Sequence, residues 1–192
     1  MTYKPTIWDD EAGTFDDAPD HGLRDPHVRA AWAGRLASWL PETSSDVFDA
    51  GCGTGSLSLL LAEQGHRPIG VDQSREMVER ARRKLADAGF EPQITVGDAA
   101  EPPGHFDVIL CRHLLWIFDD PVAVLRTWIA SLRPDGRLIL VEGRWGTAGL
   151  TAEELVGMVR PMVREIVVEP LPDPVLWGRR IHDERYAVVA LP

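Results

Sequence analysis

Residues at every second position of one short segment, Asp49-x-Gly51-x-Gly53-x-Gly55, lie between an apolar run and a helix-forming one. Glycines there let the backbone turn tightly and approach a ligand without a Cβ in the way. Asp49 adds a carboxylate at the end of the preceding strand. Asp72 ends the next apolar run, where an ionised carboxyl accepts hydrogen bonds from a ribose diol. Asp98, in Gly97-Asp98-Ala99, follows the third such run and suits the exocyclic amine of a purine. Dinucleotide folds space their glycines G-x-G-x-x-G, which would put the third at Ser56; here the pattern is G-x-G-x-G. A fourth run delivers Cys111-Arg112-His113-Leu114-Leu115-Trp116. His113 is a candidate base toward an oxygen or nitrogen nucleophile, since imidazole is suitably basic near neutral pH. Arg112 suits a carboxylate or a structural ion pair. Trp116 and Phe118 suit an apolar pocket or core packing.

The elements that must position these groups are written as alternation. Asp46–Ala50, Pro68–Asp72, Ile94–Val96, Phe106–Cys111 and Leu138–Glu142 are short apolar runs that predict buried strands. Between them, helices are expected from about Ser56 to Gln64 and from Ser74 to Ala88, with Gly65 and Gly89 as terminators, and from Pro121 onward. Asp25-Pro26 reads as a helix start, and Thr151-x-x-Glu154 as a capping box. Continuous apolar strands alternating with helices imply a parallel sheet covered on both faces. The last two β-like runs, Glu165–Val168 and Tyr186–Val189, have no helix-length segment between them, so an antiparallel hairpin is expected. The first twenty or so residues, rich in Asp, Gly and Pro, read as an extended or mobile arm. The Arg80, Arg82, Arg83, Lys84 stretch reads as a solvated helix face.

With 30 acidic against 20 basic residues and a net charge of −10, a generic nucleic-acid surface is not expected. No apolar run reaches membrane-spanning length and the start is unlike a leader peptide, so a cytoplasmic protein is expected. Two cysteines, Cys52 and Cys111, make neither a disulfide framework nor a zinc site and are read as reduced; no metal is expected.

Taken in order, VFDAGCGTG, GVDQS, GDA, FDVILCRHLLWIFDDP and LRPDGRLILVEG resemble the class I S-adenosylmethionine-dependent methyltransferases, over about residues 46–142. The resemblance implies an α/β fold, a Rossmann-like three-layer αβα sandwich. Its seven-stranded, mostly parallel sheet would have the order 3-2-1-4-5-7-6, with strand 7 antiparallel. It implies one domain over 1–192: an arm and helix at 1–45 acting as a lid, a cofactor core at 46–142, and a helix and hairpin at 143–192. It also implies S-adenosylmethionine as cofactor, S-adenosylhomocysteine as product, and a small-molecule acceptor methylated at O, N or C.

Residue by residue, Asp49, Gly51, Cys52, Gly53 and Gly55 would face the methionine portion and Asp72 the ribose. Gln73 and Met77 would lie beside the adenosine, and Asp98 and Ala99 beside the adenine. Cys111 and Arg112 would meet the cofactor's amino and carboxylate groups. Trp8, His21, His113 and Trp116 would line the acceptor side, with Phe15, Arg29, Trp145 and Trp177 as further lid or border residues. The quaternary expectation is a monomer or homodimer. Two other readings stand beside this one: a non-catalytic cofactor-binding or interaction module, and a nicotinamide-dependent oxidoreductase that the glycine spacing disfavours.

Overall fold

The computed structural model describes residues 7–192. The chain opens with two helical turns, α1 (Ile7–Glu11) and α2 (Pro19–Gly22), joined through a 3-10 turn at Phe15–Asp17, before the longer α3 (Pro26–Trp39). Strand and helix then alternate: β1 (Asp46–Ala50), α4 (Ser56–Glu63), β2 (Arg67–Asp72), α5 (Arg75–Asp87), β3 (Ile94–Val96), β4 (Phe106–Arg112), α6 (Pro121–Ala130) and β5 (Leu132–Trp145). The remainder comprises β6 (Ala148–Gly149), α7 (Ala152–Val159), β7 (Glu165–Pro170), α8 (Pro174–Trp177) and β8 (Glu184–Leu191).

The expected boundaries are set by the expected chemistry. Asp25 accepts from the backbone N–H groups of His27 and Val28 at 2.8 and 3.3 Å, and Pro26 follows it where no N–H is needed. Ser74 caps α5 through Met77 N–H, and Thr151 and Glu154 cap α7 reciprocally. Gly65 and Gly89 leave α4 and α5 in the left-handed conformation.

The sheet runs β3-β2-β1-β4-β5-β8-β7, with the first five strands parallel and β8 antiparallel to both neighbours. This is the expected order with one strand added: β6, two residues long, pairs with the end of β5. Neighbouring residues on each strand face opposite layers. Val47, Leu110, Ile139 and Val141 pack with Trp32 and Leu36 of α3, Leu60 of α4 and Trp177 of α8. Phe48, Ile109, Leu138 and Leu140 pack with Leu125 and Trp128 of α6 and Leu155 of α7. The buried indoles keep their N–H groups satisfied, Trp32 on the Leu176 carbonyl at 2.7 Å and Trp128 on the Ala99 carbonyl at 2.8 Å.

Two expectations need correcting here. The arm is not extended: its turns are helical, with Ala12 buried, Phe15 stacked on His21, and Gly22 so close to the Asp16 carbonyl that a Cβ would sit 2.1 Å from it. β5 begins at Leu132 rather than Leu138, with Arg133–Gly136 looping out where the register against β4 shifts and Asp135 adopts a φ of 62°.

Candidate active site

Strand order reverses between β1 and β4, so their carboxyl ends flank the crevice where open α/β sheets bind ligands. The glycine loop turns there. Gly51, Gly53 and Gly55 have φ of 67°, 53° and 77°, all in the region that favours glycine. Gly51 and Cys52 N–H donate to the Val71 carbonyl at 2.8 and 3.1 Å, tying the loop to β2. Gly53 N–H donates to Asp72 at 2.9 Å, and Ser74 N–H donates to the other oxygen of that carboxylate at 2.8 Å. Burial nevertheless pushes the Asp72 carboxyl above its ordinary range. Asp49 is fully enclosed and accepts from Ser58 Oγ at 2.5 Å. Burial lifts its pKa to about 6, against the opposing pull of that hydrogen bond and of Arg112.

The other cofactor candidates divide. Gln73 is exposed just past β2, and Met77 is buried in the first turn of α5. Asp98 is exposed and accepts from Ala100 N–H at 2.9 Å, a local turn, while Ala99 is buried beneath it. Cys111 pairs with Ala50 at the end of the β1–β4 ladder. Burial raises both thiols well above their usual range, so neither Cys52 nor Cys111 is poised as a nucleophile.

Two open surface clefts, of about 310 and 380 Å³, lie elsewhere: one by His27 and Pro174, the other by Asp46 and Phe106 at the amino ends of strands. The crevice at the carboxyl ends carries the better-placed polar groups, and it is closed because the arm fills it. Phe15 covers Gly53, its ring 3.4 Å from where a Cβ would stand. Asp16 accepts from Thr54 Oγ1 and pairs with Lys84 at 2.9 Å. Asp9 accepts from Ser74 Oγ at 2.7 Å and from Glu76 N–H at 3.2 Å. Trp8 is half-buried on α1, which packs on α5. Lys84, expected on a solvated face, is drawn in by Asp16, Thr54 and Ser56; burial lowers its pKa. Arg29 belongs to a different contact, a paired carboxylate on Glu63 linking α3 to α4.

Beyond the arm lies an aromatic cluster. His21 stacks on Phe15 with ring centroids 4.3 Å apart. Arg112 donates to the Asp20 carbonyl at 2.6 Å and lies over Trp32 at 5.0 Å. His113 adopts a φ of 57°, stacks on Trp177 at 5.8 Å and meets Trp145 edge-on at 5.0 Å. Trp116 donates to the His113 carbonyl at 3.1 Å and also meets Trp145. Phe118 instead packs on Trp128 in the core. His113 Nε2 is buried with no partner, and burial, then Arg112, Arg185 and His21, hold the ring well below its ordinary pKa.

Asp20, His21 and His113 bring potential metal-ligand atoms within 4.8 Å of one another. The two guanidinium groups acting on His113 make that spot unfavourable for a cation. Sequence reasoning missed Arg185, whose guanidinium lies over Trp145 at 4.7 Å and Trp177 at 5.2 Å. It also missed Glu142, which is buried and accepts from Leu114 and Leu115 N–H at 3.1 and 2.8 Å. Both lie on strands whose alternation reads as core, and only the antiparallel register of β5 and β8 brings Arg185 beside Gly143.

A parallel sheet with an antiparallel β8, a G-x-G-x-G turn after β1 and an acidic residue after β2 define a class I S-adenosylmethionine-dependent methyltransferase architecture. Residues 48–140 match the family model described as "Methyltransferase domain". Among curated relatives, a ubiquinone biosynthesis O-methyltransferase of Xanthomonas euvesicatoria pv. vesicatoria is 36% identical over 98 residues, 49% of this chain and 41% of the relative. Its counterpart from Stutzerimonas stutzeri is 35% identical over 109 residues, 53% of this chain and 47% of the relative. The match thus spans less than half the length of these relatives. Among solved structures, a magnesium protoporphyrin IX methyltransferase from Synechocystis PCC 6803 with bound SAM superposes with a TM-score of 0.70 at 21% identity, covering 85% of this chain and 78% of the other. A TehB-like SAM-dependent methyltransferase from Corynebacterium glutamicum superposes at 0.71 and 18% identity, covering 96% and 97%. At these identities the likeness is one of fold.

Proposed function

We propose that the chain is a methyltransferase that uses S-adenosylmethionine to methylate an oxygen, nitrogen or carbon nucleophile of a small molecule. The observation that carries this reading is the left-handed glycine turn at 51–55, hydrogen-bonded to Asp72 at the point where strand order reverses. The turn requires glycine: Gly51 has a φ of 67°, and a Cβ on it would stand 2.6 Å from the Leu114 side chain. On this reading Asp72 holds the ribose hydroxyls, with Gln73 and Met77 beside the adenosine and Asp98 and Ala99 beside the adenine. Asp49, Gly51, Cys52, Gly53, Gly55, Cys111 and Arg112 surround the methionine portion.

S-adenosylmethionine, when bound, supplies an electrophilic methyl on a sulfonium that is already a good leaving group. The residues of the chain have then to align an acceptor and exclude water. His113, held neutral at physiological pH, offers its unpartnered Nε2 to the proton of an acceptor hydroxyl. Phe15 and His21 form a removable roof, which lifts for loading. Trp8 and Trp116 border the acceptor side. The same reading includes a cytoplasmic protein, monomeric or homodimeric, that binds no nucleic acid. Two unpaired buried cysteines support the cytoplasmic part of it.

Calorimetric titration with S-adenosylhomocysteine, with NAD in parallel, tests the assignment. Saturable binding of S-adenosylhomocysteine alone is expected, weakened roughly tenfold or more in Asp72→Asn, which keeps the side-chain shape but loses the charge. No heat with S-adenosylhomocysteine, or preference for NAD, removes the basis of the assignment.

A further inference from the structure

Arg185 has surroundings that core packing does not explain. Its side chain is 8% exposed, and its guanidinium lies against the indoles of Trp145 and Trp177. Nη1 is taken by Asp183 at 3.1 Å, with the Glu184 carbonyl at 3.5 Å. Nε is buried without a partner. That leaves the side-on edge formed by Nε and Nη2, the geometry that matches a planar carboxylate with two parallel hydrogen bonds. Gly143 opposite it is close-packed: a Cβ there would stand 2.4 Å from the Glu184 carbonyl oxygen and 2.7 Å from Arg185 Cδ.

The two indoles that flank Arg185 also flank His113, whose Nε2 is likewise buried and unpartnered. The ionisable groups around this pair are Arg112, Asp20, Asp183 and Glu142; burial holds Glu142 protonated at neutral pH and the nearby histidines neutral. With Glu142 protonated, two guanidinium groups stand against the carboxylates of Asp20 and Asp183, and Asp183 engages only one end of Arg185; this balance suits a monoanion better than a phosphate dianion. Flat aromatic walls suit a flat ligand.

Resting on the methyltransferase reading above, we propose that the acceptor is a planar aromatic carboxylate. Its carboxylate lies on the side-on edge of Arg185, its ring lies against Trp145, and its nucleophile points toward His113 Nε2. Arg185 is thus a specificity-determining residue placed on the last strand, outside the cofactor core.

The test uses the full chain saturated with S-adenosylhomocysteine and ligand-observed NMR titration with benzoate and its neutral isostere benzamide. Benzoate is expected to bind roughly tenfold or more tightly than benzamide. Arg185→Gln should erase that preference while S-adenosylhomocysteine affinity stays within about twofold. Arg185→Lys, which keeps the charge but not the fork, guards against misfolding of the first variant and should also lose most of the preference. Arg164→Gln, on the exposed ion pair with Asp135, serves as the control that leaves it intact. Equal binding of the two probes, no binding of either, or a preference that survives in a folded Arg185 variant overturns the proposal. Failure of S-adenosylhomocysteine to bind is a separate result: it overturns the methyltransferase reading, and the benzoate titration without it then decides the anion site alone.

Discussion

At the scale of single residues, the site depends on backbone that only glycine tolerates. Gly51 combines a φ of 67° with a missing Cβ that would press on Leu114, whose own N–H is fixed by Glu142. Gly34 offers the contrast, lying in the middle of α3 with nothing within 4 Å of a built Cβ. Gly51→Ala is expected to lose about 2–4 kcal/mol of unfolding free energy, from left-handed strain plus overpacking. Gly34→Ala is expected to gain about 0.5–1 kcal/mol through helix propensity. Urea denaturation of the two variants measures both, and similar effects would refute the distinction. The glycine loop was legible in the sequence because its chemistry is local: strand, turn and helix follow in one stretch. Asp72 was legible for the same reason. His113 was legible as a titratable group at a strand end, and Trp145 and Trp177 as border residues, but Arg185 was not, since only the pairing of β5 with β8 brings it there.

At the scale of elements, the caps and strand order were readable because each is set by a few neighbouring residues or by the length of a connection. The arm was misread for the opposite reason. Its Asp- and Gly-rich composition predicts a solvated segment, whereas its order comes from tertiary partners: Asp16 on Thr54 and Lys84, Asp9 on Ser74, and the Asp20 carbonyl on Arg112. Asp16 shows the balance. Burial works to raise its pKa, and the hydrogen bonds from Thr54 and Lys84 more than offset this, leaving it lowered. Asp16→Ala removes the anchor and leaves a largely enclosed Lys84 without its carboxylate, a costlier change than loss of an exposed pair. Because α3 and the sheet do not depend on Asp16, the expected effect is local opening of the arm rather than global loss. Limited trypsinolysis should therefore cleave after the exposed Arg24 roughly tenfold faster in the variant. Unchanged cleavage would mean that the arm is held by Phe15 and Gly22 packing alone. Added S-adenosylhomocysteine should restore protection if the arm recloses over the cofactor.

At the scale of the whole molecule, buried ionisable groups at the carboxyl ends of the strands give stability a pH dependence whose sign differs between them. His113 and His21 are held below their ordinary pKa, chiefly by burial. Below about pH 6.5 the unfolded chain takes up protons that these folded rings refuse, so their effect is to weaken the fold as pH falls. Glu142 acts in the other direction. Burial lifts its pKa from 4.5 to about 8, more than the opposing backbone N–H groups of Leu115, Leu114 and Gly143 lower it. Between those values the folded state binds the proton more strongly, so this contribution is full below the unfolded value and is lost as pH rises toward 8. The geometry offers little to stabilise a charge: Oε1 accepts from the two loop amides, whereas Oε2 is buried with no donor against it. Glu142→Gln keeps an acceptor for Leu114 and Leu115 and cannot ionise. Wild-type protein is expected to lose on the order of 2 kcal/mol between pH 6 and 8.5 from this group, and the variant to lack that loss. Urea denaturation at the two pH values measures it. Parallel slopes in wild type and variant would show that Glu142 is already ionised at neutral pH. In that case the loop bearing His113 would be fixed by a buried charge, with Arg185 as its nearest counterweight.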